Sequence, residues 1–357
     1  MKYKHFAHRL LDWYGPNKRD LPWRNTNDPY IIWLSEVILQ QTRVAQGLPY
    51  FEKFLQNYPK VQDLAQAPDE EVMRLWQGLG YYSRARNLHQ CAKDIVEIHG
   101  GEFPGSYKEL LKLKGVGSYT AAAISSFAFG EAAAVVDGNV FRVLSRYFGI
   151  ETDIASPAGK REFEILANQI IPISAPGEFN QSIMEFGSLQ CKPKNPNCLD
   201  CPLMEGCFAF NKEMVDQLPF KAKKIKVKER FFTYLHITSG NETVIRQRTA
   251  GDIWQGLHDF PLIESNDLDL ENLQLLLLDP ELNSLDPTVN LNSGKIFKHL
   301  LTHQRIFAKF ISLEIERIHR ANLLIWAEKQ GYLLVNDSEL ENLGKPRLIL
   351  KFLNGEK

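Results

Sequence analysis

Two carboxylates and four thiols are the residues of this 357-residue chain whose type and spacing best suit chemistry. Glu36 lies in the run Tyr30-Ile-Ile-Trp-Leu-Ser-Glu-Val-Ile-Leu-Gln-Gln-Thr-Arg43, with Ile32, Trp33, Val37, Ile38 and Leu39 around it. A carboxylate buried among such side chains holds its proton to higher pH, the condition for a general acid near neutrality. Ser35, Glu36, Gln40 and Arg43 are also roughly helically spaced, so a solvated polar face competes with that reading. Asp137 stands between the apolar residues 132–136 and Gly138. It reads as a helix cap or as a carboxylate held at a site. Cys191-x6-Cys198-x2-Cys201-x5-Cys207 gathers four of the five cysteines within 17 positions. Thiolates at such spacings select a soft metal or an iron–sulfur cluster. Zinc sites usually pair two Cys-x2-Cys knuckles, and here there is one. We therefore expect one 4Fe-4S cluster, over zinc or free thiols, with Lys192 and Lys194 making its long loop cationic.

The elements that must position these groups are mostly helices. Phe6, Leu10, Trp13 and Tyr14 space a helix over 3–14 that Gly15-Pro16-Asn17 should stop. Asp28-Pro29 reads as a cap and first helical position for the Glu36 helix. Helical patterns follow over 46–57, 61–65, 69–77, 84–99, 158–170 and 179–189. Between them, Leu110, Leu111 and Leu113 form the apolar face of a helix before a tight Gly115-Val116-Gly117 turn. Ala121, Ala122 and Ala123 then begin another helix. Such a turn brings backbone close to a partner, and the free N–H groups of the second helix favour a phosphate. Gly78-Leu79-Gly80-Tyr81-Tyr82, with Arg84 and Arg86, could meet bases and phosphates or form a surface corner. Cys91 reads as a core residue.

Five lysines in residues 221–228 mark a linker. From Phe231 the texture changes to short runs rich in Val, Ile, Thr and aromatics, at 231–238, 243–248, 307–315 and 332–334, which is a small α+β domain. His299 and His303 are four apart, as metal ligands on a helix could be, but no acid or cysteine completes a set. The net charge is −1, distributed as +3 over residues 1–230 and −4 beyond them. A polyanion would therefore meet local basic patches on the first part. The chain length favours two or three domains. No run is long and apolar enough for a membrane span, and the first residues lack a signal-peptide core, so we expect a cytoplasmic protein.

Taken together, Leu21-Pro-Trp-Arg24, Ser35 to Thr42, Gly78 to Leu88, Gly115-Val-Gly-Ser-Tyr-Thr-Ala121, Val136-Asp-Gly-Asn-Val-x-Arg142 and the four-cysteine pattern resemble the helix-hairpin-helix DNA glycosylase superfamily. Within it they resemble the adenine DNA glycosylase (MutY) family, over nearly the whole chain. The resemblance implies a multidomain fold: an all-α helix-hairpin-helix glycosylase core with an iron–sulfur cluster loop, plus a C-terminal α+β Nudix-like domain. The implied boundaries are 1–28 with 135–211 for the cluster domain, 29–134 for a six-helix barrel, 212–230 for a basic linker and 231–357 for lesion recognition. The endonuclease III branch shares most of these features but carries a Schiff-base lysine where this chain has Tyr119. A phenol forms no imine, which points to the monofunctional branch.

The same resemblance implies the roles. The substrate is duplex DNA with adenine opposite 8-oxoguanine or guanine, bound by a monomer with no membrane partner, in a bacterial cytoplasm and at the nucleoid when bound. Glu36 protonates adenine N7, Asp137 stabilises the sugar cation, Asn139 holds Asp137, and Tyr119 lines the pocket against Glu36. Gln41 inserts into the gap left by the flipped base, with Thr42 beside it, and Tyr81 wedges next to 8-oxoguanine. Lys114, Gly115, Val116 and Gly117 meet a phosphate. Trp23, Arg24, Leu39 and Gln181 are further pocket candidates. Cys191, Cys198, Cys201 and Cys207 bind the cluster. Leu301-Thr302-His303 stands where the family has a Phe-Ser-His lesion reader, so Thr302 and His303 are expected at the lesion. The Nudix catalytic run Arg-Glu-x-x-Glu-Glu is absent, which implies recognition by that domain rather than hydrolysis.

Overall fold

The computed structural model describes residues 2–222, 227–268, 279–290 and 295–355. Lys223, Lys224 and Lys226 of the basic run lie outside the described residues. The first half is helical: α1 Lys2–Asn17, α2 Pro29–Leu39, α3 Val44–Asn57, α4 Val61–Gln66, α5 Asp69–Leu75, α6 Ser83–His99, α7 Tyr107–Leu110, α8 Ser118–Phe129, α9 Gly138–Phe148, α10 Pro157–Ile170, α11 Pro176–Leu189 and α12 Phe208–Asn211. A mixed α+β sequence follows: β1 Lys228–Ser239, β2 Glu242–Gln247, β3 His258–Asp259, β4 Leu262–Ser265, α13 Pro280–Asn283, β5 Thr288–Asn290, β6 Phe297–Leu300, β7 Gln304–Glu314, α14 Arg320–Lys329, β8 Leu333–Asn336, α15 Asp337–Asn342 and α16 Arg347–Leu353. This is the helical core and C-terminal α+β domain expected from the sequence.

The chain divides into two compact units. Met1–Gln66 joins Asn87–Lys224 in the first, and Ala67–Arg86 joins Ile225–Lys357 in the second. The sequence reading kept residues 67–86 within a continuous 29–134 barrel. By contacts these residues group with the sheet: Gln77 Oε1 accepts from the Lys345 N–H at 2.9 Å and the Arg86 guanidinium donates to the Gln255 carbonyl at 2.6 Å.

In the first unit, α2 is apolar nearly all round, and it is buried at Tyr30 and from Ile32 to Ile38 because neighbours cover nearly every side. Asp28 caps it, accepting the Tyr30 N–H at 2.8 Å. The helix ends at Leu39 rather than running on to Arg43, because Gln41 takes a left-handed φ of 55°. α1 runs on through Pro16 to Asn17 instead of stopping at Gly15. A proline that close to the end forfeits one helical bond only. Phe6 and Leu10 of α1, Val140, Val143 and Leu144 of α9, Phe163 of α10, and Phe179, Ile183 and Phe186 of α11 form one buried cluster. Full burial of each such side chain is worth about 1.5–3 kcal/mol.

In the second unit, β1 pairs in parallel with β7 over Lys228↔Gln304 to Thr238↔Glu314. Antiparallel neighbours flank the pair, β2 and β4 on β1, β5 and β6 on β7. Leu323, Trp326 and Ala327 of α14 cover one face, against Leu235, Ile237, Ile311 and Leu313. On the other face Phe352 of α16 stacks on Phe310 at 4.1 Å, with Phe260 and Phe297 edge-on. Covering both faces explains why β1 is buried with little alternation. His299 is on strand β6, not on a helix as its spacing to His303 suggested, and His303 lies beyond the strand in the turn to β7.

Candidate active site

Glu36 is 7% exposed and faces a cavity of about 540 Å³ in the helical unit. The cavity is walled by α2 (Ile32, Ser35, Glu36, Leu39), the start of α8 (Tyr119), the head of α9 (Asp137, Asn139), α11 (Gln181, Met184, Glu185, Ser188) and the turn Pro22–Arg24. The buried reading of Glu36 therefore holds over the solvated face. Tyr119 donates its hydroxyl hydrogen to Glu36 Oε2 at 2.7 Å. Burial pushes the Glu36 carboxyl up to about 7; the Tyr119 bond and the Arg24 charge oppose that rise, and Asp137 adds to it.

Asp137 is both a cap and a cavity residue, so the two readings of it coincide. One carboxylate oxygen accepts the Asn139 and Val140 N–H groups at 2.9 and 2.8 Å, and the other accepts Asn139 Nδ2 at 2.8 Å. Burial raises its pKa, and these hydrogen bonds and Arg142 pull the other way. Asn139 is fixed in turn by Arg142, whose Nη2 donates to Asn139 Oδ1 at 2.9 Å and to the Gly187 carbonyl at 2.6 Å. A Cβ on Gly187 would come within 2.6 Å of Asn139 Cβ, so only glycine admits this approach of α11 to α9.

Asn180, which the sequence reading missed, holds the segment leading into Asp137. Its Oδ1 accepts the Val135 N–H at 3.1 Å and its Nδ2 donates to the Ala133 carbonyl at 2.8 Å. Its place one residue before Gln181 in a buried helix was the available signal. Glu185 and Arg19 were missed as well. Glu185 is 1% exposed and accepts from Arg19 and Arg24 on both oxygens. Burial alone would raise its carboxyl, but those bonds outweigh it and hold the group at about 2. Trp23 is buried edge-on to Phe51 at 5.0 Å and also lines the cavity. Gln181 Oε1 accepts the Tyr14 hydroxyl at 2.8 Å.

The remaining expected contacts lie on the surface. The helix before the hairpin is a single turn, α7, so Leu111 is exposed while Leu110 and Leu113 are buried. Gly115 has φ 75° and Asn87 Cβ where its own Cβ would stand, 2.6 Å away, whereas Gly117 has an ordinary φ and open space. Val116 is a buried anchor, and its N–H already donates to the Leu113 carbonyl at 3.2 Å. Lys114 is exposed beside the turn, and α8 starts at the exposed Ser118 with no side-chain cap on its first N–H groups. Gln41 is exposed at a left-handed φ, and Thr42 lines the cavity. In the second unit Tyr81 is 47% exposed at φ 50°, another strained non-glycine position. Its hydroxyl is 2.8 Å from Thr302 Oγ1. Thr302 and His303 are exposed at the tip of the β6–β7 hairpin, closed by the Leu301 N–H to the Gln304 carbonyl.

Cys191, Cys198, Cys201 and Cys207 line one small apolar cavity of about 30 Å³. Among the described residues no three His, Cys, Asp or Glu side chains converge as a single metal ion requires. The four thiols share that one cavity, an all-sulfur donor set whose chemistry suits an iron–sulfur group. Arg146 of α9 braces the loop, donating to the Lys192 and Pro193 carbonyls and, at 3.5 Å, to Cys191 Sγ. Lys192 and Lys194 are exposed.

Comparison with known proteins agrees with this geometry. Residues 34–169 match the HhH-GPD superfamily base excision DNA repair protein model, and residues 233–355 match the NUDIX domain model. The chain is similar to an adenine DNA glycosylase of Buchnera aphidicola subsp. Schizaphis graminum, 37% identical over 72% of this chain and 74% of that one. It is 30% identical to the enzyme of that name from Buchnera aphidicola subsp. Acyrthosiphon pisum, over 99% and 97%. The Homo sapiens adenine DNA glycosylase is 45% identical over 60% of this chain and 41% of its own. Among solved structures, a thermostable thymine-DNA glycosylase superposes with TM-score 0.54 at 32% identity, covering 59% of this chain and 97% of that one. Endonuclease III in a non-covalent DNA complex gives 0.52 at 26%, over 60% and 97%. The helical cavity and the turn before α8 fit a DNA base-excision enzyme, and the chain belongs to the adenine DNA glycosylase family.

Proposed function

We propose that this adenine DNA glycosylase acts on adenine opposite 8-oxoguanine, or opposite guanine, and does so with Glu36 and Asp137 as its two working carboxylates. The observation that carries the reading is the pairing of a buried, proton-holding Glu36 with Asp137 on one cavity of the size that takes small ligands. Adenine inside a duplex is out of reach, so the nucleotide must turn out of the stack. Gln41, held in its strained conformation, would fill the gap. Glu36 passes its proton to adenine N7, so the base can leave neutral as the C1′–N9 bond breaks. The sugar is left cationic, and Asp137 stabilises that cation or bonds to it transiently until water adds and yields its proton. This is the division of labour between two carboxylates in glycoside hydrolysis. Asn139 keeps the Asp137 oxygens aimed, and Tyr119 orients Glu36. Tyr119 offers no amine for an imine, so the base is released and the abasic sugar stays in an uncut strand.

The exposed hairpin turn and the first N–H groups of α8, with Lys114, would hold a phosphate. Thr302 and His303, beside Tyr81, would read 8-oxoguanine, since a threonine hydroxyl can donate where the family has serine. Cys191, Cys198, Cys201 and Cys207 would hold a 4Fe-4S cluster, which when bound supplies a rigid cross-link to the loop. That loop then presents Lys192 and Lys194 to the DNA backbone, an electrostatic contact without sequence information. The same reading has the protein bind as a monomer and divides its helical part into a cluster domain and a barrel.

The test is single-turnover adenine release from duplexes with one A:8-oxoguanine, A:G or A:T pair, using wild type, Glu36→Gln and Asp137→Asn. The reading expects fast release from the first, slower from the second and none from the third, with both variants still binding. Equal release from all three duplexes would remove the lesion specificity. Full activity in either variant would remove the role of that carboxylate.

A further inference from the structure

Glu185 and Arg19 have no part in the chemistry just described, yet they are built into the wall of the same cavity. Glu185 is 1% exposed on α11 and accepts five hydrogen bonds. Arg19 gives three of them: its N–H at 3.0 Å, Nε at 2.8 Å and Nη2 at 2.5 Å. Arg24 gives the other two, Nη1 at 3.0 Å and Nη2 at 2.8 Å. Arg24 Nη1 also donates to the Arg19 carbonyl at 3.1 Å, so the two arginines are locked to each other as well as to the glutamate. A buried carboxylate persists only when so paired, and removal of one partner leaves the others uncompensated. The trio carries one net positive charge. Of its members Arg24 acts on Glu36, favouring the ionised acid. The other groups facing Glu36 are Tyr119 from α8 and Asp137 from the head of α9.

We propose that Glu185 is a positioning residue: held between Arg19 and Arg24, it pins Arg24 at the cavity wall and offsets its charge on the side that faces Glu36. The inference rests on the reading of Glu36 as the proton donor. Without Glu185 the wall would carry two uncompensated guanidinium groups, and Glu36 would give up its proton at lower pH. Removing Arg19 instead takes away a positive charge and loosens Arg24, which slows the reaction without moving the titration down. The two variants thus act in different directions, which damage to folding would not do.

The experiment is the pH profile of single-turnover adenine release between pH 5 and 9 for wild type, Glu185→Gln, Glu185→Asp and Arg19→Gln, each checked for fold by circular dichroism and for DNA affinity. The wild-type rate should fall as pH rises through about 7. In Glu185→Gln that fall should begin on the order of one pH unit lower, with DNA affinity held within about threefold. Glu185→Asp should restore the wild-type profile, and Arg19→Gln should lower the plateau while leaving the fall where it is or higher. A folded Glu185→Gln with an unmoved profile overturns the inference while leaving Glu36 as the donor. Should Glu185→Gln not fold, a downward move in Arg19→Gln overturns it equally. A wild-type profile flat to pH 9 removes the Glu36 reading itself, and the inference with it.

Discussion

The cavity buries a glutamate in each of two walls, and the two titrate at opposite ends of the carboxylate range. Glu36 on α2 has apolar neighbours and one tyrosine hydroxyl, and burial lifts it to about 7. Glu185 on α11 is just as hidden, but two guanidinium groups hold it at about 2. Burial is common to both, so burial alone does not make an acid. What separates them is whether the desolvated charge has been given a cation. The sheet unit follows the Glu185 pattern. Asp259, fully buried, is met by Arg246 and Arg248 at 2.8 Å each. Buried carboxylates that brace the fold are paired with arginines, and the one proposed to give up a proton is not.

The largest effect should come from breaking the cavity. Glu36→Gln and Asp137→Asn should each slow single-turnover adenine release by a factor of about 10³ or more, with DNA affinity kept. Next is the segment that leads into Asp137. Asn180→Ala would strand the Val135 N–H and the Ala133 carbonyl, and we expect a loss of about 2–4 kcal/mol in a urea melt. The contrast between the two glutamates predicts a stability difference with a definite sign. The pKa of Glu36 is raised on folding, so its contribution is full below the unfolded value and is lost as pH rises through about 7. Glu36→Gln should therefore gain on wild type by about 2 kcal/mol at pH 8 and by little at pH 5. Glu185 is the reverse case, stabilising above the ordinary carboxylate range and losing that contribution as pH falls toward about 2.

Smaller effects separate the two hairpin glycines. Gly115→Ala must strain the backbone at φ 75° and displace Asn87, so it should lower both the melting temperature and the DNA affinity. Gly117→Ala meets open space and should leave the melting temperature unchanged while weakening DNA binding. Equal melting losses in the two would contradict the assignment of strain to Gly115 alone. Least of all, Lys192→Ala with Lys194→Ala should weaken DNA binding uniformly across sequences and reduce the slope of log K against log salt by about two.

Much of this was legible in the sequence, for physical reasons that differ by region. The apolar surround of Glu36 is local, so burial could be read from five neighbouring residues, though the competing polar stripe could be set aside only once the helices covering it were seen. Asp137 before glycine announced a cap, and the cap geometry is what fixes its oxygens. The four cysteines lie within one loop, so their spacing sufficed to bring them together. What stayed hidden depends on distant partners. Glu185 finds Arg19 and Arg24 some 160 residues away, and Asn180 finds residues 133 and 135. Nothing within the Asp69–Leu75 helix says that it groups with residues from the other end of the chain. Likewise, spacing made His299 and His303 look helical, although the pairing of β6 with β7 decides otherwise.

The central claim is that Glu36 carries a proton near neutral pH before substrate arrives. The direct measurement is infrared difference spectroscopy of the carboxylic C=O stretch in the free enzyme, titrated from pH 5 to 9, with Glu36→Gln as the reference. The account predicts one protonated carboxyl that is absent from Glu36→Gln and disappears from wild type as pH rises through about 7. A wild-type spectrum matching that of Glu36→Gln from pH 5 upward would mean that Glu36 is already ionised in the free enzyme, and the account of the acid would be wrong.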